Sequence, residues 1–262
     1  MKSISKIFNL KNKVVLITGG AGLLGLEHSD VLTDNGAIVY LADIDFEKIH
    51  AIKAKNNLHK IKLDVSKKDQ WVNVVNKIIN KHNSIDILIN NAAFTNNCKS
   101  SSFDSSFENT PLEDWNKMLE VNLTGTFLGC QVVIPQMLKQ GKGSIINISS
   151  LYGVVAPNHK IYPDTGIFQP ISYSVSKHGV VALTKYLATM YAEKGIKINC
   201  ISPGGVFNNQ KEVFINKYNR LSPIGRMANK DEISGAILYL CSDASSNVIG
   251  HNLVVDGGWS LW

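Results

Sequence analysis

The chain has 262 residues, 44% of them hydrophobic, which is enough to bury a sizeable core and excludes disorder as the default. Its formal net charge is +6, but 25 of the 27 basic residues are lysines spread along the chain; with no basic stripe or arginine-rich patch, no nucleic-acid partner is expected. No apolar run reaches the roughly 18–20 residues of a membrane span. The opening MKSISKIFNLKNK does not read as a signal peptide, and Cys98, Cys130, Cys200 and Cys241 show neither CxxC nor Cys/His spacing. A cytoplasmic protein with no membrane partner, disulfide framework or metal site is therefore expected.

Taken in chain order, short apolar runs alternate with helix-like segments. A first strand, Val14–Thr18, leads into Thr18-Gly19-Gly20-Ala21-Gly22-Leu23-Leu24-Gly25 and a helix over about Gly22–Asn35. Gly20, Gly22 and Gly25 fit G-x-G-x-x-G in a strand–turn–helix setting. There the glycines permit a tight turn and close backbone approach, and the helix N-terminus offers free N–H groups to a pyrophosphate. The second strand, Ile38–Ala42, is followed by Asp43, placed to accept both ribose hydroxyls of NAD and to repel the extra phosphate of NADP. A helix over Phe46–Lys55, a strand His59–Leu63 and Asp64, which by the same logic borders the adenine, come next.

A helix over Lys67–His82 precedes the strand Ile85–Ile89 and Asn90-Asn91-Ala92-Ala93. A long helix over Pro111–Gln140 then leads to the strand Ser144–Ser149 and Ser150. Tyr173 and Lys177 open a helix over Tyr173–Lys194, their spacing of four placing both on one face. The strand Lys197–Ile201, the turn Pro203-Gly204-Gly205-Val206, a helix over Lys230–Cys241 and the strand Leu253–Val255 complete the pattern. Strands apolar on nearly every residue, alternating with helices, predict an α/β fold: a Rossmann-like, doubly wound parallel sheet of about seven strands in one domain spanning 1–262. Ligands of such sheets bind at the carboxyl ends of the strands.

The ordered set TGGAGLLG, LDV, NNAA, VNLTG, NISS, YSVSK, ISPGG and GHNLVVDGGWS resembles the short-chain dehydrogenase/reductase family, in its short single-domain branch, over about Lys11 to Trp262. The resemblance implies hydride transfer between NAD(H) and a secondary alcohol or ketone. Tyr173 would be the acid/base, its phenol lowered by Lys177 and the positive nicotinamide from about 10 towards neutrality. Lys177 would hold the nicotinamide ribose, Ser150 would orient the substrate oxygen, and Asn122 would anchor a relay water behind Lys177. The implied cofactor contacts are Gly19, Gly22, Leu23, Leu24, Gly25, Asp43, Ile44, Asp64, Val65, Asn91, Ala92, Ala93, Pro203, Gly204 and Val206, with Tyr173 and Lys177 shared.

The chain departs from the family pattern at three places. Leu23 stands where the short branch has glycine, so the loop takes the TGxxGxxG form of the extended, epimerase-containing branch. NNAA replaces NNAG. Ser150 and Tyr173 are 23 positions apart, where about a dozen is usual. The stretch at about 157–170 is thus expected to shape the substrate site, with His159, Lys160 and Tyr162 as candidate contacts. A second stretch at about 96–110 is expected to border it, and a lid at about 205–226 to offer Asn208, Asn209, Gln210, Lys211 and Arg226 to polar or anionic groups.

Both insertions and the tail are similar to bacterial members acting in surface-sugar or flagellin modification. That likeness implies a polyhydroxylated small-molecule substrate, a phosphorylated or nucleotide-linked sugar among the options. The family also implies a homodimer or homotetramer built on the two long helices. Two rival readings fit the same motifs: an NAD-using sugar epimerase or dehydratase, and a non-catalytic NAD-binding sensor. The full set Asn122, Ser150, Tyr173 and Lys177 weighs against the sensor.

Overall fold

Strands that are apolar on both faces need cover on both faces. The structure, a computed structural model describing residues 3–95 and 107–262, provides it. Among the described residues seven strands form one parallel sheet in the order β3-β2-β1-β4-β5-β6-β7. They are β1 (Val14–Thr18), β2 (Ile38–Asp43), β3 (Leu58–Lys62), β4 (Ile87–Asn90), β5 (Gly143–Ile148), β6 (Ile196–Pro203) and β7 (Asn252–Val255). The helices are α1 (Ile4–Ile7), α2 (Leu23–Asp34), α3 (Phe46–His50), α4 (Lys68–His82), α5 (Leu112–Leu119), α6 (Gly125–Gln140), α7 (Ile171–Tyr191), α8 (Glu212–Leu221) and α9 (Ser234–Cys241).

Alternation along β1 shows how the layers are filled. Val14 and Leu16 join Trp71 of α4, Val133 of α6 and Ala188 of α7 in one core. Val15 and Ile17 join Leu32 of α2, Ile49 of α3 and Ile237 of α9 in the other. A third, aromatic cluster lies apart from both and brings together Leu151, Tyr152, Ile161, Tyr162, Phe214, Tyr218, Met227 and Trp259. After β1 the chain moves outward to β2 and β3, then returns to lay β4 on the other side of β1. The carboxyl ends of β1 and β4 therefore form the switch point where a dinucleotide site is expected.

Three predicted elements differ from the structure. The helix expected over Phe46–Lys55 stops at His50, because the chain turns back for β3 and the Lys60 ammonium takes the His50 carbonyl (2.9 Å). The helix expected over Pro111–Gln140 is two helices joined by a π-helical turn, Glu120–Thr124, which contains Asn122. The lid at 205–226, for which no helix was expected, contains α8. No described helix is long and apolar enough to cross a membrane.

Candidate active site

The glycine loop closes on its own backbone. Gly19 has φ +66°, a conformation L side chains rarely adopt, and a Cβ there would lie 2.7 Å from Ala92 Cα. A Cβ on Gly25 would lie 2.2 Å from the Gly19 carbonyl, so Gly25 serves helix–loop packing. Leu23 causes no conflict. It is the first residue of α2, half-buried, and Gly22 before it is extended (φ −78°), so nothing here demands glycine at 23. Ala93 is likewise absent from the residues with positive φ, which explains why NNAA is tolerated.

Side chains at the switch point tie the loop to β4. Asn91 Nδ2 donates to the carbonyls of Thr18 (2.9 Å) and Gly19 (3.1 Å), while the Asn91 and Ala92 N–H groups donate to Thr18 Oγ1. Asp43 accepts from the Ala21 N–H at Oδ2 (2.8 Å) and from the Asp45 N–H at Oδ1 (3.0 Å). The two bonds fix the carboxylate's orientation and leave lone pairs on both oxygens.

The cleft above is lined by Gly19, Gly22, Leu23, Leu24, Asp43, Asn91, Ala93, Pro203, Gly204, Val206, Tyr173 and Lys177 from the expected set, together with Thr95, Ser149, Ser150, Asn208 and Gln210. Its volume is about 550 Å³. Gly25, Ile44, Asp64, Val65 and Ala92 lie outside this lining. Asp64 instead accepts from the Ser66 N–H (2.9 Å) and hydroxyl (2.7 Å), Val65 is buried against Gly125, and Ile44 is exposed beyond Asp43.

Tyr173 and Lys177 sit in the first turns of α7, which begins two residues earlier than expected, and both are oriented into the cleft. Tyr173 and Ser150 line the cleft together, and the Lys177 ammonium lies 5.6 Å from the Tyr173 ring centre and donates to the Ile148 carbonyl (2.9 Å). Burial pushes the Lys177 ammonium down to about 8. Burial also pushes the Tyr173 phenol up, against the pull of Ser150. The lowering expected for this phenol is therefore not achieved by the chain's own groups. It falls to whatever positive charge enters the cleft.

The two serines divide the work: Ser149 Oγ locks to the Lys177 carbonyl (2.8 Å), while Ser150 faces the cleft. Gly153 makes this possible, since a Cβ there would meet Ser149 Oγ at 2.2 Å and the Lys177 carbonyl oxygen at 2.8 Å. Asn122 is buried with both ends of its amide engaged. Its Oδ1 accepts from the Phe94 N–H (2.6 Å), and its Nδ2 donates to the Phe94 carbonyl (3.1 Å) and reaches Met118 Sδ and Ser176 Oγ. The side chain thus clamps the strand-β4 loop to the π turn rather than offering itself to a water. Its backbone carbonyl accepts from Thr126 Oγ1 and retains a lone pair.

Beside the cleft, and sharing Ser150, Tyr173, Gly204, Val206, Thr95 and Gln210 with it, is a cavity of about 290 Å³. Its other walls are Tyr152, Tyr162, Ile167, Phe168, Gln169, Pro170, Phe214, Tyr218 and Met227, among others. The 157–170 stretch does reach this cavity, through Tyr162 and 167–170. His159 and Lys160 do not line it and are exposed.

From the lid, Gln210 lines both spaces and Asn208 the cleft, whereas the Arg226 guanidinium is clamped on Glu232 by two 2.6 Å bonds. Sequence reasoning missed Tyr152 on the turn after β5, and Phe214 and Tyr218 of α8. The signal for the α8 pair was the 3–4 spacing of Phe214, Tyr218 and Leu221 in EVFINKYNRL. Tyr218 also explains Gly204-Gly205: its hydroxyl accepts the Gly205 N–H (2.6 Å), and a Cβ on Gly205 would meet its ring at 2.7 Å. The expected 96–110 contribution falls largely on residues outside those described.

Comparison with known proteins agrees with this architecture. A family model described as enoyl-(acyl carrier protein) reductase matches residues 22–260. The chain is 34% identical over 258 residues to the 3-oxoacyl-(acyl-carrier-protein) reductase FabG of Thermotoga maritima, covering 95% of this chain and 98% of that one. It is 34% identical over 262 residues to the cyclopentanol dehydrogenase of a Comamonas species, covering 96% and 98%. Among solved structures, a short-chain dehydrogenase from Leptospira borgpetersenii with bound NAD+ superimposes with a TM-score of 0.88 at 34% identity, covering 99% and 96% of the two chains.

Proposed function

The chain belongs to the short-chain dehydrogenase/reductase family, an oxidoreductase acting on CH–OH groups, and from that premise we propose that it transfers hydride between NAD(H) and a secondary alcohol or ketone of a small, uncharged, hydroxylated molecule. The observation that carries the choice of NAD is Asp43, held by two backbone N–H groups at the far end of the cleft from Tyr173, with lone pairs free for ribose hydroxyls. Neither of the chain's two arginines lines this cleft to offset the charge that a 2′-phosphate would bring against that carboxylate. The NAD+-bound Leptospira relative supports the same reading.

The residues fit the dinucleotide: a glycine cradle closed to any Cβ at 19 and 25, the free N–H groups of α2, and an acidic residue after β2. When bound, the nicotinamide supplies the hydride acceptor and a positive charge. Ser150 holds the substrate oxygen beside Tyr173, which takes the alcohol proton in oxidation or returns it in reduction. Lys177 would hold the nicotinamide ribose hydroxyls, and the ring's positive charge would bring the phenol down. Asn122 is a positioning residue that fixes the Phe94 loop beside the cleft, with its carbonyl left to hold a relay water.

For the substrate, the described walls of the cavity carry no Lys, Arg or His, and six of the lining residues are aromatic. This favours an uncharged alcohol or unphosphorylated sugar over a phosphorylated or nucleotide-linked one. The name of the Comamonas relative points the same way. Assembly into a dimer or tetramer through α6 and α7 is part of this proposal, supported by exposed Phe127, Leu138, Val175, Tyr186 and Met190 on those helices.

The test is a screen of neutral alcohols, sugars and ketones with both nicotinamide cofactors, following net cofactor reduction or oxidation. Steady NADH formation supports the reading. NADP preferred more than tenfold would overturn the role of Asp43, and substrate conversion with no net cofactor change would replace the dehydrogenase with an epimerase or dehydratase.

A further inference from the structure

Besides Tyr218, whose hydroxyl accepts the Gly205 N–H, two phenols line the substrate cavity that the chemistry above does not use. Tyr152 sits on the turn just after Ser150, its N–H bonded to Ser150 Oγ (3.2 Å). Tyr162 comes from the extra stretch before α7. The two hydroxyls lie 2.5 Å apart, both side chains are more than nine-tenths buried, and both line the cavity that holds Ser150 and Tyr173.

Their hydrogen bonding does not balance within the protein. Two hydroxyls carry two hydrogens, and the single bond between them spends one. Among the described residues neither oxygen has another partner, so one O–H and several lone pairs are left over beside the cavity. A buried hydroxyl without a partner costs roughly 1–3 kcal/mol, and phenylalanine at both places would keep the two rings without that cost. Burial holds both phenols above their ordinary range, so they meet a ligand as neutral groups.

Their placement is firm. Tyr162 stacks on Phe214 (6.1 Å), Tyr152 meets the edge of Trp259 (6.1 Å), and Thr165 Oγ1 ties the Tyr162 carbonyl. The pair is thus pinned between the turn after β5, the inserted stretch, the lid helix and the C-terminal turn.

We propose that the paired hydroxyls of Tyr152 and Tyr162 bind a second oxygen of the substrate, remote from the carbon that exchanges hydride, so that this enzyme selects uncharged diols or hydroxy ketones over simple alcohols. The inference rests on the dehydrogenase reading above and deepens it. Ser150 and Tyr173 hold the reacting oxygen, and the tyrosine pair donates to, and accepts from, a hydroxyl or carbonyl on the same small molecule. It assigns the long Ser150–Tyr173 interval a chemical purpose, because Tyr162 exists only by virtue of that stretch.

The experiment compares matched substrates: cyclohexanol with the vicinal cyclohexane diols, and butanol with butanediol and acetoin, for the wild type, Tyr162→Phe and Tyr152→Phe. Both variants keep the ring and its stacking. In the wild type kcat/KM for the diol should exceed that for the simple alcohol by about tenfold or more. Each variant should lose about tenfold on the diol, mostly in KM, while changing less than about twofold on the simple alcohol and in NAD binding.

Equal losses on both substrates, or no loss on the diol, would overturn the proposal and leave the pair as packing. If one variant fails to fold, the other decides by the same ratio. A wild type that binds NAD but converts no alcohol or ketone overturns the dehydrogenase reading itself, and this inference with it.

Discussion

The two spaces that meet at Ser150 and Tyr173 are built in different ways. The cofactor cleft is made of strand ends and backbone: Gly19 with its left-handed φ, N–H groups at the start of α2, and Asn91 and Asp43 held by main-chain bonds. The neighbouring cavity is walled largely by side chains, six of them aromatic, carried mainly on the turn after β5, the 157–170 stretch, the start of α7 and α8. Backbone geometry anchored in a central sheet tolerates little change, so the cleft serves a common ligand. Side chains on loops can be exchanged one at a time, so the cavity carries what is particular to this chain.

Four measurements would break or sharpen that contrast. The largest effect is expected where the two spaces meet. Tyr173→Phe should lower kcat by about 10²–10⁴-fold while NAD affinity, read by fluorescence titration, stays within about twofold. Retained turnover would remove Tyr173 from the chemistry.

Replacing 158–168 by a short Gly-Ser linker should cost roughly a hundredfold in kcat/KM for the alcohol through lost positioning. The dissociation constant for NAD should hold, and a matching loss of NAD binding would show that the two spaces are not separable.

His28 tests the rigid half. It is fully buried in α2, neither ring nitrogen has a partner among the described residues, and burial pushes its imidazole down to about 4. Above pH 6.5 the ring is neutral in both folded and unfolded chains. As pH falls from 6.5 to about 4 only the unfolded chain takes up the proton, so about 3 kcal/mol of stability is lost over that window. His28→Leu should be more resistant to acid, with denaturant midpoints diverging from wild type below pH 6.5; parallel curves would contradict it.

The smallest effect is on cofactor choice. Asp43→Ser should shift the NADP-to-NAD ratio of kcat/KM by about tenfold, equivalent to about 1.4 kcal/mol, and leave alcohol selectivity untouched.

Much of the rigid half was legible in the chain. The apolar runs that became β1, β2 and β4 need no tertiary information, because strands covered on both faces are apolar on nearly every residue. The glycine spacing, Asp43 and the Tyr173–Lys177 pair are local patterns whose geometry follows from the turn or helix that carries them. Tyr162 was within reach as a polar residue in an overlong interval, whereas His159 and Lys160 were chosen for their chemistry and proved to face solvent.

Other features depended on contacts between segments far apart in sequence. The break at Asn122 arises because its amide reaches Phe94, 28 positions away, and a helix interior gives no local warning of such a bond. Val65 is taken up against Gly125 at the start of α6, 60 positions away, which no local pattern announces. The state of the Tyr173 phenol also belongs to the tertiary level, since burial by surrounding layers decides it and pattern cannot.

By itself the sequence determined the sheet, the glycine loop after β1 and the placing of Tyr173 and Lys177 on one helix face, because each depends on periodicity or on residues a few positions apart. Only the tertiary structure decided that the substrate wall is aromatic and uncharged over its described part. That wall joins Tyr152, Tyr162, Phe214 and Tyr218 from three segments, and their meeting depends on how the inserted stretch and the lid pack over the end of the sheet.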